Sequence, residues 1–355
     1  MDIGSWPHVA RQPGAPRRPA ALCDILGGAE ARAPEPATVI PSARLRAPSI
    51  LIVHPDHKTQ RTVQRVLGGT GYRIDVADDL EQAVRLLLHL EPLLVVLDGS
   101  AMASPVVKQF LVAARSRGAE ACMTLVGAAQ FAQMPRILGL GAVTNLLVHP
   151  MPVLGEELTI TAQKLIRSDL FGAEKYLLWG TKLSTTTLTR ASQRSHLVGE
   201  LAEQIRGRGQ SARVASMAML VTDELLSNAV HNAPIDQRGA RYRAELARDV
   251  EVELDARHEV VLRWGCDGRY LAIEVTDPFG SLDRDTVLRA LVQNDVKDSG
   301  GGAGMGLALT YRSCDHLVFN LAPGKRTEVI ALIDVRYPHS ERVAASSYNV
   351  FVERR

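Results

Sequence analysis

Between Ser49 and Ile166 five short β-rich apolar runs, SILIV, YRIDVA, LLVVLD, CMTLVG and AVTNLLV, alternate with segments of helical period. No other feature limits the fold so tightly. Strands of this kind separated by helices lie parallel, joined by right-handed crossovers, with helices on both faces of the sheet. Ligand chemistry in such a sheet belongs at the carboxyl ends of the strands, where Asp98 closes LLVVLD.

The rest of the chain follows other rules. Residues 1–46 are rich in Pro, Ala, Arg and Gly with one apolar patch from Ala20 to Leu26, too little burial to offset ordering entropy, and read as a disordered leader. The alternating block occupies 47–166 and a polar stretch at 167–175 reads as a linker. In 176–337, LLWGTKLSTTT reads as a strand and RASQRSHLVGELAEQIRG as an amphipathic helix. A second helix is expected from Ala212 to Ala233, where Val214, Met217, Val221, Leu225 and Ala229 share one face and Pro234 stops it. Period-two runs follow (VEVEL, EVVLRW, LAIEVTD, HLVFNL, TEVIALI), with a turn at Asp267 and Gly268, predicting a helix layer over a largely antiparallel sheet. Residues 338–355 stay unassigned.

With 355 residues, 46% of them apolar, the chain can build two ordinary cores. Its 41 basic and 39 acidic side chains offer no field of one sign for nucleic acid or anionic lipid, so neither is expected as a partner. No run of about 18 apolar residues suggests a membrane span. Cys23, Cys122, Cys266 and Cys314 are too scattered for a zinc site or a disulfide framework, and the expected location is the cytoplasm.

Three separated elements point to one nucleotide site. In Thr222-Asp223-Glu224-Leu225-Leu226-Ser227-Asn228, Glu224 and Asn228 stand four residues apart and share a helix face. The amide oxygen of Asn228 suits Mg²⁺, which takes a few hard oxygens beside phosphate oxygens and water; the pair alone would also suit a solvated helix face. LAIEVTDPFG runs a strand out into Asp277, whose carboxylate can accept from an exocyclic amine such as that of adenine, with Gly280 allowing the backbone to turn. Asp277-Pro278 alone is also a common turn initiator. Ser299 to Leu307 carries Gly300, Gly301, Gly302, Gly304 and Gly306 directly before an apolar helical run, LALTYRSC, a pattern whose amides can cradle phosphates.

In this order and at these separations the three elements resemble the GHKL ATPase superfamily, which includes histidine kinases and anti-sigma-factor kinases. The resemblance covers roughly residues 175 to 335. It implies a C-terminal α/β-sandwich ATP-binding domain of Bergerat type with ATP and Mg²⁺ as cofactors. Asn228 would hold Mg²⁺, Asp277 would read adenine, Gly302, Gly304 and Gly306 would belong to the ATP lid, and Thr327 in KRTEVIALI would lie near the base. The family usually has glycines two and four residues after the adenine-binding aspartate; here those positions are Phe279 and Ser281, with Gly280 between them.

One strand and one helix before the asparagine helix is similar to the compact anti-sigma-factor serine kinases, in which a catalytic glutamate stands where Glu224 does. His196, on that single preceding helix, reads as an ordinary helical residue. The resemblance implies a protein kinase acting on a serine or threonine hydroxyl, with a sigma factor or its antagonist as the analogous partner. A non-catalytic ATP-dependent partner switch, or a histidine-kinase catalytic domain acting on a carrier in another chain, are the alternatives. The first block resembles the flavodoxin-like receiver domain of response regulators, with Asp98 at the phosphoacceptor position. It departs elsewhere: SILIV runs into His54-Pro55-Asp56, the hydroxyl position after the fourth strand is Gly127, and the lysine position before Pro150 is His149. The expectation is a pseudo-receiver used for dimerisation or partner binding within two-component-type signalling.

Overall fold

The computed structural model describes residues 49–134, 137, 143–236, 238–247, 250–292, 305–336 and 345–353; the leader, Gly302 and Gly304 lie outside them. In the first half β1 (Ser49–Val53), β2 (Arg73–Ala77), β3 (Pro92–Asp98), β4 (Ala121–Leu125) and β5 (Asn145–Leu147) pair in the order β2-β1-β3-β4-β5, all parallel. This is a doubly wound, flavodoxin-like order, with the parallel strands that the alternation predicted. Ile50, Ile52, Leu94 and Val96 pack with α1 (His57–Gly68) and α4 (Val153–Arg167), while Leu51, Val53, Val95 and Leu97 pack with α2 (Leu80–Leu87) and α3 (Val107–Ser116). Both faces are covered, which is why the strands read as unbroken apolar runs. Two helix starts are set by acidic caps: Asp56 accepts from the amides of Lys58 and Thr59, and Asp79 from that of Gln82.

The second half comprises β6 (Ser184–Leu188), α5 (Gln193–Gly207), α6 (Ala212–Ser227), β7 (Val260–Cys266), β8 (Tyr270–Asp277), α7 (Arg284–Val292), α8 (Met305–Ser313), β9 (His316–Ala322) and β10 (Arg326–Asp334). Its strands run β9-β10-β8-β7-β6, each antiparallel to the next. Val221 and Leu225 of α6, Leu201 and Ile205 of α5 and Leu307 of α8 share one core with Leu262, Ile273, Val275 and Val329 of the strands, giving the expected helix layer on one sheet face.

Three local expectations change. The first strand of this half begins at Ser184 rather than Leu177, because Leu178 to Thr181 form a turn, with Gly180 at φ +86° and the Thr181 amide donating to the Leu178 carbonyl. VEVEL forms no extended strand: Val252 and Leu254 are buried, yet only Glu253 makes a ladder bridge, with Arg190. The tail is not featureless. β11 (Ser347–Val352) lies between β5, to which it is antiparallel, and β9, to which it is parallel, so that eleven strands among the described residues form one continuous sheet.

The stretch read as a polar linker is fastened to that sheet. Leu170, Ala173 and Tyr176 pack over Tyr270, Ala272, Val318, Ile330 and Phe351 on the face opposite the helices. This face carries buried Glu274 and Glu328, whose carboxylates need donors. The Gly172 amide donates to Glu328 at 2.9 Å and the Ala173 amide to Glu274 at 2.9 Å. Lys164 of α4 reaches Asn320 (2.8 Å) and the Tyr176 hydroxyl (2.9 Å), and its burial pushes the ammonium down to about 7.

Candidate functional site

The site begins with the end of α6. The helix runs into a π-helical turn, Asn228–Asn232, closed by a bond from the Ala233 amide to the Asn228 carbonyl, and stops before Pro234. Wide turns of this kind recur at functional positions because they displace side chains from the helical register. Here the turn lets Asn232 Nδ2 donate to Asn228 Oδ1 at 2.7 Å.

Across from it β8 and β10 are paired with Thr327 opposite Asp277. Asp277 is 6% exposed, and burial pushes its carboxyl up to about 7 against the pull of the Phe279 and Gly280 amides and the nearby Thr327 hydroxyl. The Phe279 amide donates to it at 2.9 Å. One cavity is lined by Asn228, Asn232, Arg241, Asp277, Ser281 and Thr327, with Leu225, Val275, Leu282, Leu307 and Val329 as its apolar wall. Asn228 Nδ2 and Thr327 Oγ1 are buried without a hydrogen bond of normal length. Buried polar atoms of this kind carry a desolvation penalty that a polar ligand would relieve.

Gly306, near the start of α8, lies against the other carboxylate: a Cβ there would overlap the Glu224 carboxylate and come within 3.6 Å of Asn228 Nδ2. Of the residues singled out from sequence, the fold therefore gathers Asn228, Asp277 and Thr327 at one cavity, and seats Gly306 on Glu224 beside it. Gly280 is not in the wall. It holds φ +57°, accepts from the Gly324 amide at 3.0 Å, and a Cβ there would fall 2.6 Å from Lys325 N, so it seats the turn after β8 under the β9–β10 hairpin. Phe279, at a position where a glycine was expected, stacks on the His258 ring at 5.2 Å, and Ser281 donates to the Ala233 carbonyl at 2.6 Å. His196 is exposed on α5 beside Glu200. Asn232 and Arg241 were not singled out from sequence, and Ser281 was noted only as a position where the resembled family has glycine; of the three, Asn232, four residues after Asn228, carried a periodic signal.

The second location is the carboxyl edge of the first half. Asp98 is 7% exposed and already enclosed by donors: the Ser100 amide (2.9 Å) and hydroxyl, Gln130 Nε2 (3.3 Å) and His54 Nε2 (3.4 Å). Asp56 is committed to capping α1, and hydrogen bonds from Thr59 hold its carboxyl at about 2. The Gly127 amide is taken by Gln130 Oε1 at 2.8 Å, and His149 Nδ1 by Glu157 at 2.8 Å. Among the described residues no group of three or more His, Cys, Asp or Glu is placed to hold a metal ion, and no helix is long and apolar enough to cross a membrane.

No family model matches the chain, and no curated protein matches it. Among solved structures, a two-component response regulator from Clostridium difficile aligns with 34% of this chain and 96% of its own at 17% identity, TM-score 0.29. A chemotaxis response regulator of Vibrio cholerae aligns with 34% of this chain and 98% of its own at 21% identity, TM-score 0.27. The Legionella pneumophila response regulator LqsR aligns with 84% of this chain and 92% of its own at 13% identity, TM-score 0.28. The receiver-like arrangement of the first half rests on its strand order, β2-β1-β3-β4-β5.

Proposed function

We propose that the second half is a Mg²⁺-ATP site of the GHKL type and that the first half is a receiver-like domain that no longer accepts phosphate, the two acting together in two-component-type signalling. The observation that carries the reading is the convergence of Asn228, Asp277 and Thr327, separated by up to a hundred residues in sequence, on one cavity whose wall has orphaned polar atoms. Asp277 would accept the exocyclic amine of adenine. Mg²⁺, held by Asn228 Oδ1 with phosphate oxygens and water, would supply charge neutralisation at the phosphates. Glu224 would orient a hydroxyl of a protein partner.

The partner-switch alternative is favoured by one detail: Gly306, at the root of the proposed lid, sits against Glu224 and crowds that carboxylate. In that version nucleotide binding changes the surface offered to the partner, and the signal is the difference in partner affinity between two lid states. Single-turnover transfer to a cognate partner separates the two versions.

The test of the site itself is equilibrium binding of a labelled ATP analogue with and without Mg²⁺. Asn228→Ala should weaken the Mg²⁺-dependent part and Asp277→Asn should abolish binding. Because Asp277 is held near 7, affinity should rise between about pH 6 and pH 8 as the carboxylate forms. No binding by folded native protein would end the reading.

A further inference from the structure

Arg241 lines the same cavity as Asn228 and Asp277. Its position is built locally. Asp236 Oδ1 accepts from the amides of Arg238 and Ala240, both at 2.8 Å, and the Asp236 amide donates to the Ala240 carbonyl at 2.9 Å. Gly239 at φ +80° closes this tight loop immediately before Arg241, and the Ala244 amide donates back to the Arg241 carbonyl at 3.2 Å. The backbone is thus pinned on both sides of a long cationic side chain.

Among the described residues no carboxylate forms an ion pair with Arg241. Among the described residues that line the cavity the one carboxylate is Asp277, and Arg241 forms no ion pair with it. Arg241 and Asp277 are therefore separate contacts on one space. A ligand that satisfies both must offer a hydrogen-bond donor to Asp277 and negative charge to Arg241. A guanidinium presents a planar fork of donors suited to phosphate oxygens.

We infer that Arg241 binds the phosphates of the nucleotide and makes the site select nucleotides over nucleosides. The inference rests on the nucleotide reading of the cavity and adds a residue to it. The loop that carries Arg241, between α6 and β7, becomes the wall through which phosphate charge is recognised, complementing the Mg²⁺ end at Asn228.

The experiment titrates the full chain with Mg²⁺-ADP and, separately, with adenosine, comparing native protein with Arg241→Gln and Arg241→Lys. Arg241→Gln should weaken ADP by about 10- to 100-fold, the loss of one charge-assisted contact, while adenosine affinity stays unchanged and shows that the variant is folded. Arg241→Lys should fall between, keeping charge without the fork. Equal losses for ADP and adenosine, or no loss for either, overturn the phosphate role while leaving the nucleotide reading intact. A native chain that binds neither ligand overturns both.

Discussion

Replacing Glu157 by Gln removes a buried charge from the seam between the two halves, and the structure sets the size and pH dependence of the effect. Glu157 of α4 receives His149 Nδ1 at 2.8 Å and His316 Nδ1, at the start of β9, at 3.1 Å; the carboxylate is 5% exposed and His316 1%. The pair extends outward. Ser347 Oγ of β11 lies 3.1 Å from His149 Nδ1, His316 Nε2 meets Asn349 Nδ2 at 2.8 Å, and Asn349 Oδ1 accepts from Asn145 Nδ2 at 2.8 Å. Residues from α4, β5, β9 and β11 therefore meet at one polar cluster inside the sheet junction. Burial alone would raise the Glu157 carboxyl, but the charge of His316 and the hydrogen bond from His149 outweigh it and hold the group at about 2, against 4.5 when unperturbed.

A drop from 4.5 to about 2 corresponds to about 3 kcal/mol at about 1.4 kcal/mol per unit. That stabilisation is complete above 4.5 and is lost as pH falls towards 2. His149 is desolvated, yet hydrogen bonding and attraction to Glu157, with smaller help from Asp315 and Asp334, raise it above 6.5. Its contribution is complete below 6.5 and disappears as pH rises through the folded-state value. Both contributions coexist between 4.5 and 6.5. Glu157→Gln should therefore destabilise the chain by about 3 kcal/mol near pH 5.5 and by less at a pH above the folded-state value of His149, which Glu157 raises above 6.5. Urea unfolding of native and variant chains at both pH values gives the difference directly, because charges common to both chains cancel. The same destabilisation at both pH values, or none, would refute a charged clamp and leave Glu157 as a neutral hydrogen-bonding residue.

Two other expectations follow from single positions. Gly280→Ala should lower stability by about 3 kcal/mol or more, since it combines a positive φ with overlap against the β9–β10 hairpin, and a thermal midpoint unchanged from native would contradict the packing at that turn. Incubation with acetyl phosphate should leave Asp98 unmodified, because Ser100, Gln130 and His54 already occupy the space around its carboxylate; a hydroxylamine-labile adduct that disappears in Asp98→Asn would show that the enclosure opens.

Local pattern carried most of the first half. SILIV and LLVVLD read as strands buried on both faces because, after Ser49, every residue in them is apolar up to Asp98, and the crossover rule then fixed their parallel order. Asn228 and Asp277 were legible for a different reason: a helix face and a strand end are short-range geometries, and each motif carries its own. Arg241 was not legible, since the loop that aims it has no period and is set by the side chain of Asp236 and one positive φ at Gly239. Gly280 was legible as a glycine but not in its role, which depends on a hairpin more than forty residues later in the chain.

β11 was the least legible element, and the most consequential for how the halves are joined. SYNVFV alternates polar and apolar residues only loosely, because its neighbours are not those of a half-exposed strand. Tyr348 and Phe351 are buried on the two sides, and Asn349 is buried between the amide of Asn145 and the imidazole of His316. Polar residues at such positions would be costly in an ordinary core and are tolerable only where both neighbours bring partners. The strand thus matches one environment, the gap between β5 and β9, and its composition follows from that pairing. If β11 were merely a trailing segment laid on a finished domain, deleting it would spare the first half; as the strand that satisfies β5, β9 and the Glu157 cluster together, its loss leaves buried donors and acceptors unpaired in both halves.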